Sequence, residues 1–202
     1  MDALPVFAFH AFASNNQYQW SNELRYAGTF DAGSWGTLDV TTGLYYFQQE
    51  VDYVELRLLA GGALIAPGGG QIEHDSWGVF ANFDLHATDR LTVSFGGRYS
   101  WEDKTARIQS LLPNLVVPLH LNPCEYGGGC NVTPGIPGAF FDSDSWTSFA
   151  PRVGFRYRYN DSSQIYGSYS QGYRSGGYNL RNDLGVAPGR MTRSVSMRLK
   201  SA

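Results

Sequence analysis

The chain has 202 residues, a net charge of −3 and a pI near 5.7, so it carries no basic field of the kind that holds nucleic acid. Aromatics make up 15% of it, with 24 Gly, while charged residues reach only 16%, against roughly 25% in an average soluble domain. Mean hydropathy is −0.28, and no apolar run approaches the ~18 residues of a spanning helix. Many Tyr and Gly with few charges fit strands that are greasy on one face and wet on the other.

Residues 1–17 read as a lead-in: Met1-Asp2 is followed by an apolar stretch, Ala3 to Ala13, without the basic leading region of a signal peptide. Strand-like alternation then begins. Leu24, Tyr26 and Phe30 fall opposite Glu23, Arg25 and Thr29 in a strand at about 18–30. In a second, at about 34–50, Leu38, Val40, Leu44 and Tyr46 fall opposite Thr37, Asp39 and Thr41. In a third, at about 72–87, Trp77, Val79, Ala81, Phe83 and Leu85 alternate with Ser76, Gly78, Asn82 and Asp84, and Phe80 breaks the pattern. The clearest case is the fourth, at about 90–107. Leu91, Val93, Phe95, Gly97, Tyr99 and Trp101 share one face; Thr92, Ser94, Gly96, Arg98 and Ser100 share the other. A fifth, at about 145–159, sets Val153, Phe155, Tyr157 and Tyr159 against Arg152, Gly154, Arg156 and Arg158. The sixth, 163–176, is weaker because Tyr falls on both faces.

The connections carry as much information. Asp31–Ser34, Ala87–Arg90 and Asn160–Ser163 are tight turns of turn-favouring residues. Between them come long connections, Val51–Gln71 and Ile108–Asp144, the second rich in Pro and Gly. Short and long connections in alternation put every tight turn on one side of a sheet, as in outer-membrane barrels. Aromatics near strand ends (Tyr18, Trp20, Tyr45, Tyr46, Phe47, Trp77, Tyr99, Trp101, Trp146, Phe149) suit girdles at headgroup depth. Cross-strand aromatic pairing in any β-sheet is the plainer reading of the same residues.

Several segments then resemble the barrel of TonB-dependent receptors. They are Gln19-Trp-Ser-Asn-Glu-Leu-Arg25, Gly43-Leu-Tyr-Tyr-Phe47, Ser76 to Asp84, Leu91 to Tyr99, Phe149-Ala-Pro-Arg-Val-Gly-Phe155 and Tyr166 to Asn179, in family order across 18–182. The resemblance implies an all-β antiparallel transmembrane barrel, here an incomplete one of six meander strands. In the family, a 22-stranded wall encloses a plug, and the receptor binds a scarce ligand such as an iron–siderophore complex and imports it with energy relayed by the TonB complex. The partners it implies are outer-membrane lipid of a Gram-negative bacterium, the rest of the barrel and plug, and the TonB complex through regions not seen here. It implies no cofactor. No plug or TonB box is found before Gln19, and residues 183–202, basic from Arg190 to Lys200, read as an atypical tail, disordered or out of frame. The chain is therefore expected to be a fragment.

Among site candidates, Cys124 and Cys130, in Cys-Glu-Tyr-Gly-Gly-Gly-Cys, suggest a loop disulfide in an oxidising compartment. Zinc would need about four ligands, and His74 and His120 lack the spacing. Glu23, Arg25, Asp39, Asp84, Arg98, Arg152, Arg156 and Arg158 are expected to point into the lumen, as hydrated wall or as contacts to plug or ligand. Gly172–Gly177 ends a strand with no helix after it and fails as a phosphate cradle. His86, Ser76 and Ser94 offer no nucleophile–base pair that sequence alone supports, so an enzyme is not expected. Two readings compete with a receptor: a passive porin with the same strand grammar, and a soluble extracellular β-sandwich, whose apolar faces would be buried against a second sheet.

Overall fold

A computed structural model describes the backbone of residues 9–59, 64–109, 124–125, 129–130, 139–180, 190–191 and 194–201, and the side chains of 9–58, 68–108 and 139–180. The strands, in chain order, are β1 (Phe9–Asp31), β2 (Thr37–Leu59), β3 (Leu64–His86), β4 (Leu91–Gln109), β5 (Cys124–Glu125), β6 (Gly129–Cys130), β7 (Ala139–Asn160), β8 (Ser163–Arg174), β9 (Gly177–Tyr178), β10 (Arg190–Met191) and β11 (Ser194–Ser201). One seven-stranded antiparallel sheet runs β1-β2-β3-β4-β7-β8-β11, with two small ladders, β5–β6 and β9–β10, beside it. Its order is linear, so the sheet is open, with β1 and β11 at its edges.

The tight turns form as their residues dictate. The Asp31 carboxylate accepts the Gly33 amide at 2.8 Å, and Gly36, at φ +94, sits where a side chain would strike the His86 carbonyl. The Thr88 hydroxyl accepts the amides of Arg90 and Leu91 at 3.2 and 3.0 Å, and the Asn160 side chain accepts the Ser162 amide at 3.0 Å. These three turns lie at one end of the sheet.

Register carries the alternation across the strands. Leu24 pairs with Leu44, Leu44 with Val79, Val79 with Tyr99 and Tyr99 with Phe149. A second row joins Val40, Phe83, Phe95, Val153 and Tyr169. Among the described residues no second layer covers these side chains: Leu24 is 70% exposed, Phe149 56% and Phe95 45%. So broad an uncovered apolar face marks a membrane surface and removes the β-sandwich reading. On β2 the band runs from Leu38 to Tyr46, in line with the ~9–11 residues a tilted strand needs to cross. It ends at the row Tyr46–Trp77–Trp101.

Beyond that row the same face turns polar. Tyr46 donates to Asp75 at 2.8 Å, and Ser145 to Asp103 at 2.5 Å. Arg107 bridges Gln71 and Glu73 at 2.6 and 2.7 Å, and Gln71 reaches Glu50 at 2.5 Å. Not every aromatic expected in the girdle belongs to it: register puts Tyr45, Phe47 and Trp146 on the opposite, polar face.

Several expected boundaries are corrected, beginning with β1, which starts at Phe9 inside the expected 1–17 lead-in. Val51–Gln71 is not a long loop, because β2 continues to Leu59 and β3 begins at Leu64, paired throughout. Above the band Val54, Leu56 and Leu58 still alternate with Glu55 and Arg57, but the partner stretch Pro67-Gly-Gly-Gly70 reads as a break and masks the pairing. The ladder tolerates that break because Gly69, at φ +148, passes close to the Tyr53 carbonyl. Likewise β7 begins at Ala139 rather than near 145. In the tail expected to be disordered, Ser194–Ser201 is a strand on β8, with Val195, Met197 and Leu199 opposite Tyr173, Gln171 and Tyr169.

Candidate functional site

The polar face carries two built regions, one at the tight-turn end and one above the aromatic row. All of Glu23, Arg25, Asp39, Asp84, Arg98, Arg152, Arg156 and Arg158 lie on this face by register. Their surroundings divide them. Arg25 pairs with Glu23 at 2.5 Å, an exposed contact worth little. Arg98 lies over the Tyr45 ring at 4.7 Å and donates to Ser100 at 3.0 Å. Ser94 donates to Asp84 at 2.5 Å. Phe80, the exception to the alternation, lies on the polar side because Gly43 beside it leaves room for its ring, with the Arg25 guanidinium 5.8 Å from its centroid.

At the tight-turn end a side-chain relay crosses four strands. Thr29 donates to Asp39 at 2.6 Å, Asp39 meets His86 Nε2 at 2.9 Å, and His86 Nδ1 lies 3.2 Å from the Thr92 hydroxyl. His86 is thus held from both sides. Beside it opens a cleft of about 690 Å³ lined by His86, Thr92, Arg90, Arg156, Arg158 and Gln164, among others.

Above the aromatic row, the chain after β8 folds back over the polar face. Tyr178 is buried against Ala106 and Ile108, with Ile72, Phe140, Trp146 and Leu180 around them. Lys104 fastens this strap: its ammonium donates to the Ser175 hydroxyl at 2.6 Å and the Gly176 carbonyl at 2.8 Å, and lies 5.5 Å from the Trp146 ring centroid. The Glu102 carboxylate lies 3.2 Å from His74 Nε2 and 3.7 Å from the Lys104 ammonium. Hydrogen bonding from His74, with help from Ser175 and Lys104, holds the Glu102 carboxyl down at about 2 against the opposing effect of burial. Burial pushes the Lys104 ammonium below its ordinary value, and the nearby Arg174 adds to this. Under the strap lies a cavity of about 240 Å³ lined by Gln49, His74, Lys104, Arg174, Tyr178 and Leu180, among others. Two cations, a histidine and a phenol around one space suit an anionic aromatic or chelating ligand.

A buried ion pair lies further out on β2. Glu55 and Arg57 are 1% and 4% exposed; Arg57 Nη2 donates to Glu55 Oε2 at 3.1 Å, and its Nε lies 3.0 Å from Oε1. The β5–β6 ladder approaches β2 and β3 there, with Cys124 directly opposite Cys130. The cysteine side chains, and so the expected disulfide, lie outside the described residues, as does His120.

None of His74, Glu102, Lys104, Arg174 and Tyr178 was singled out from sequence as part of a binding site. The charged members follow the period-two pattern, but only the return of the chain after Arg174 gathers them.

The sequence matches the TonB dependent receptor-like β-barrel family model over residues 5–195. No curated protein matches it. Among solved structures, the fold is similar to the ferric yersiniabactin uptake receptor FyuA from Yersinia pestis, with a TM-score of 0.73 and 18% identity. That overlap takes in 96% of this chain and 27% of that receptor, so the chain spans about a quarter of the receptor's length.

Proposed function

Because the chain belongs to the TonB-dependent receptor β-barrel family, we propose that it forms part of a receptor wall that captures a ferric chelate at the cell surface for TonB-energised import. The family is an outer-membrane family of Gram-negative bacteria, and its members are transporters. In this reading the Leu24-to-Phe149 face meets lipid, the arginine-rich face lines an aqueous bore, and the tight turns lie on the periplasmic side. The observation that carries the reading is the apolar band closed by Tyr46, Trp77 and Trp101 and backed by a polar face. The ligand class is suggested by the name of the similar receptor and by the cationic, aromatic cavity under the strap.

Brominated-lipid quenching of single-tryptophan variants tests the membrane part. With the chain folded into vesicles, Trp77 and Trp101 are quenched and Trp146, on the polar face, is not; strong quenching of Trp146 overturns the assignment. For the ligand, binding of a ferric siderophore to the folded chain falls at least about tenfold in Lys104→Met or Arg174→Gln, given the charge-assisted contacts removed. Binding indifferent to both variants removes the cavity from the proposal.

A further inference from the structure

Among the described residues, the cleft at the tight-turn end carries an excess of positive charge. Arg152, Arg156 and Arg158 are exposed along the polar face of β7, and Arg90 lies beside them at the β3–β4 turn. Among the described residues, none of these guanidiniums is in an ion pair. Arg158 donates to the backbone carbonyl of Asp89 at 2.6 Å, not to its carboxylate, and Arg156 makes only a 3.5 Å contact with the Thr92 hydroxyl. Register explains why. Flanking Arg152 are Gly96 and Ser170, and flanking Arg156 are Thr92 and Tyr166; Arg158 faces Gln164. Of the lining residues Asp89 alone carries a carboxylate, against the guanidiniums of Arg90, Arg156 and Arg158, and acids further along the face are committed, Asp39 to Thr29 and His86 and Asp84 to Ser94.

We propose that an acidic polypeptide segment, running extended along β7, docks on this cationic column. The inference rests on the reading that this face lines the bore. Charge complementarity selects the sign of the occupant, and the shape of the site selects its kind. The arginines do not converge on a point. From Arg152 to Arg158 they spread over about 20 Å at ~3.3 Å per residue, so a small anion engages at most neighbouring members. An extended chain with carboxylates on alternate residues presents charge at nearly the spacing of Arg156 and Arg158. Guanidiniums facing carboxylates form forked, charge-assisted hydrogen bonds, and the open cleft of about 690 Å³ beside them gives the segment room.

The test uses the whole chain folded in vesicles and a fluorescent decapeptide of alternating Glu and Ser, with a Gln–Ser peptide as its uncharged match. The Glu peptide binds at low salt at least about tenfold more tightly than the Gln peptide and weakens as salt is raised. Arg156→Gln/Arg158→Gln costs roughly tenfold more; Arg156→Lys/Arg158→Lys, which keeps the charge, restores part of the loss; Arg25→Gln, already paired with Glu23, changes nothing. Equal binding of the two peptides, or binding indifferent to the β7 double variant, overturns the proposal. Competition by inorganic phosphate as effective, charge for charge, as the peptide also overturns it, in favour of a small-anion site. A separate measurement distinguishes failure of the underlying reading. A water-soluble maleimide labels Arg152→Cys and not Val153→Cys in vesicles if the arginine face is wet; the reverse result overturns the bore assignment and this inference with it.

Discussion

The ammonium of Lys104 and the carbonyl of Gly176 meet at 2.8 Å, tying the middle of β4 to the segment that leaves β8. With the Ser175 hydroxyl at 2.6 Å, this is the principal polar fastening of the strap, and Tyr178 supplies the apolar one. Hydrogen bonds from a charged donor contribute about 1.5–3 kcal/mol each. Lys104→Met is therefore expected to raise amide exchange at Gly177 and Tyr178 by about tenfold or more, while exchange in the middle of β3 stays as it was. Exchange at Tyr178 unchanged in the variant shows that the strap is held without Lys104, by the packing of Tyr178 and the β9–β10 ladder.

Acidification loosens the same contact. Glu102 lies just beyond the aromatic row, and its carboxyl is held at about 2, below its ordinary 4.5. A carboxyl depressed on folding stabilises fully above its ordinary value, and that contribution fades as pH falls from about 4.5 towards 2. Trp146, beside Lys104, reports it: its emission in the folded chain is expected to shift across that window, and Glu102→Gln to flatten the shift. A shift of the same size in the variant places the titrating group elsewhere.

How much of this could be read from sequence follows from where lipid and water differ. Inside the band, one face must be apolar and the other polar, so Leu91 to Trp101 and Val153 to Tyr159 announce strand, face and register partner together. The turns announce themselves through Asp31, Thr88 and Asn160, whose side chains cap backbone amides locally. Above the band both faces meet water or protein. Val54, Leu56 and Leu58 still alternate with Glu55 and Arg57, but the partner stretch around Pro67-Gly-Gly-Gly70 carries no matching pattern, so the continuation of β2 is hidden by its neighbour. The strap is illegible for a different reason: Lys104 and Gly176 are brought together by the course of the whole sheet, and no local pattern encodes that. The tail from Ser194 to Ser201 had the alternation all along, with Val195, Met197 and Leu199 in phase, but its basic partners masked it.

Face assignment predicts opposite costs for the same substitution. Val79 lies in the apolar row between Leu44 and Tyr99, and Thr41 lies on the polar face between Ala27 and Asn82. Arginine towards lipid costs about 2–4 kcal/mol at mid-depth in transmembrane barrels and about 0–1 kcal/mol near the interfaces. Val79, one row inside Trp77, lies between the two, so Val79→Arg is expected to lower stability to urea in vesicles by about 1–3 kcal/mol, and Thr41→Arg to change it by less than about 0.5 kcal/mol. Equal costs at the two positions contradict the assignment of the faces.

Cys124 and Cys130 are direct partners in the β5–β6 ladder. Opposed residues in antiparallel strands have Cα atoms about 4.5–5.5 Å apart, inside the range a disulfide spans. The chain purified from an oxidising compartment is thus expected to take up two alkyl groups by mass only after reduction. Alkylation without reduction rules the bridge out.

The Glu55–Arg57 pair gives the sharpest contrast between breaking an interaction and replacing it. Both side chains are nearly inaccessible, and the Tyr53 hydroxyl adds a third contact, to Glu55 at 3.2 Å. Desolvating two ions cancels much of their attraction, so the intact pair contributes little net stability. Removing one partner is another matter, because the buried charge left behind loses its opposite charge, at a cost of about 3–5 kcal/mol. Arg57→Met and Glu55→Leu are each expected to destabilise the outer part of β2 by that order in vesicle-based urea unfolding, and Glu55→Leu/Arg57→Met to recover most of the loss. Position, more than charge, decides the outcome: the same cycle at Glu23 and Arg25, paired but exposed, is expected to show less than about 1 kcal/mol in every arm. If the double variant at 55 and 57 were as unstable as the sum of its singles, the two side chains would be acting through separate partners, and the fork between them would contribute nothing of its own.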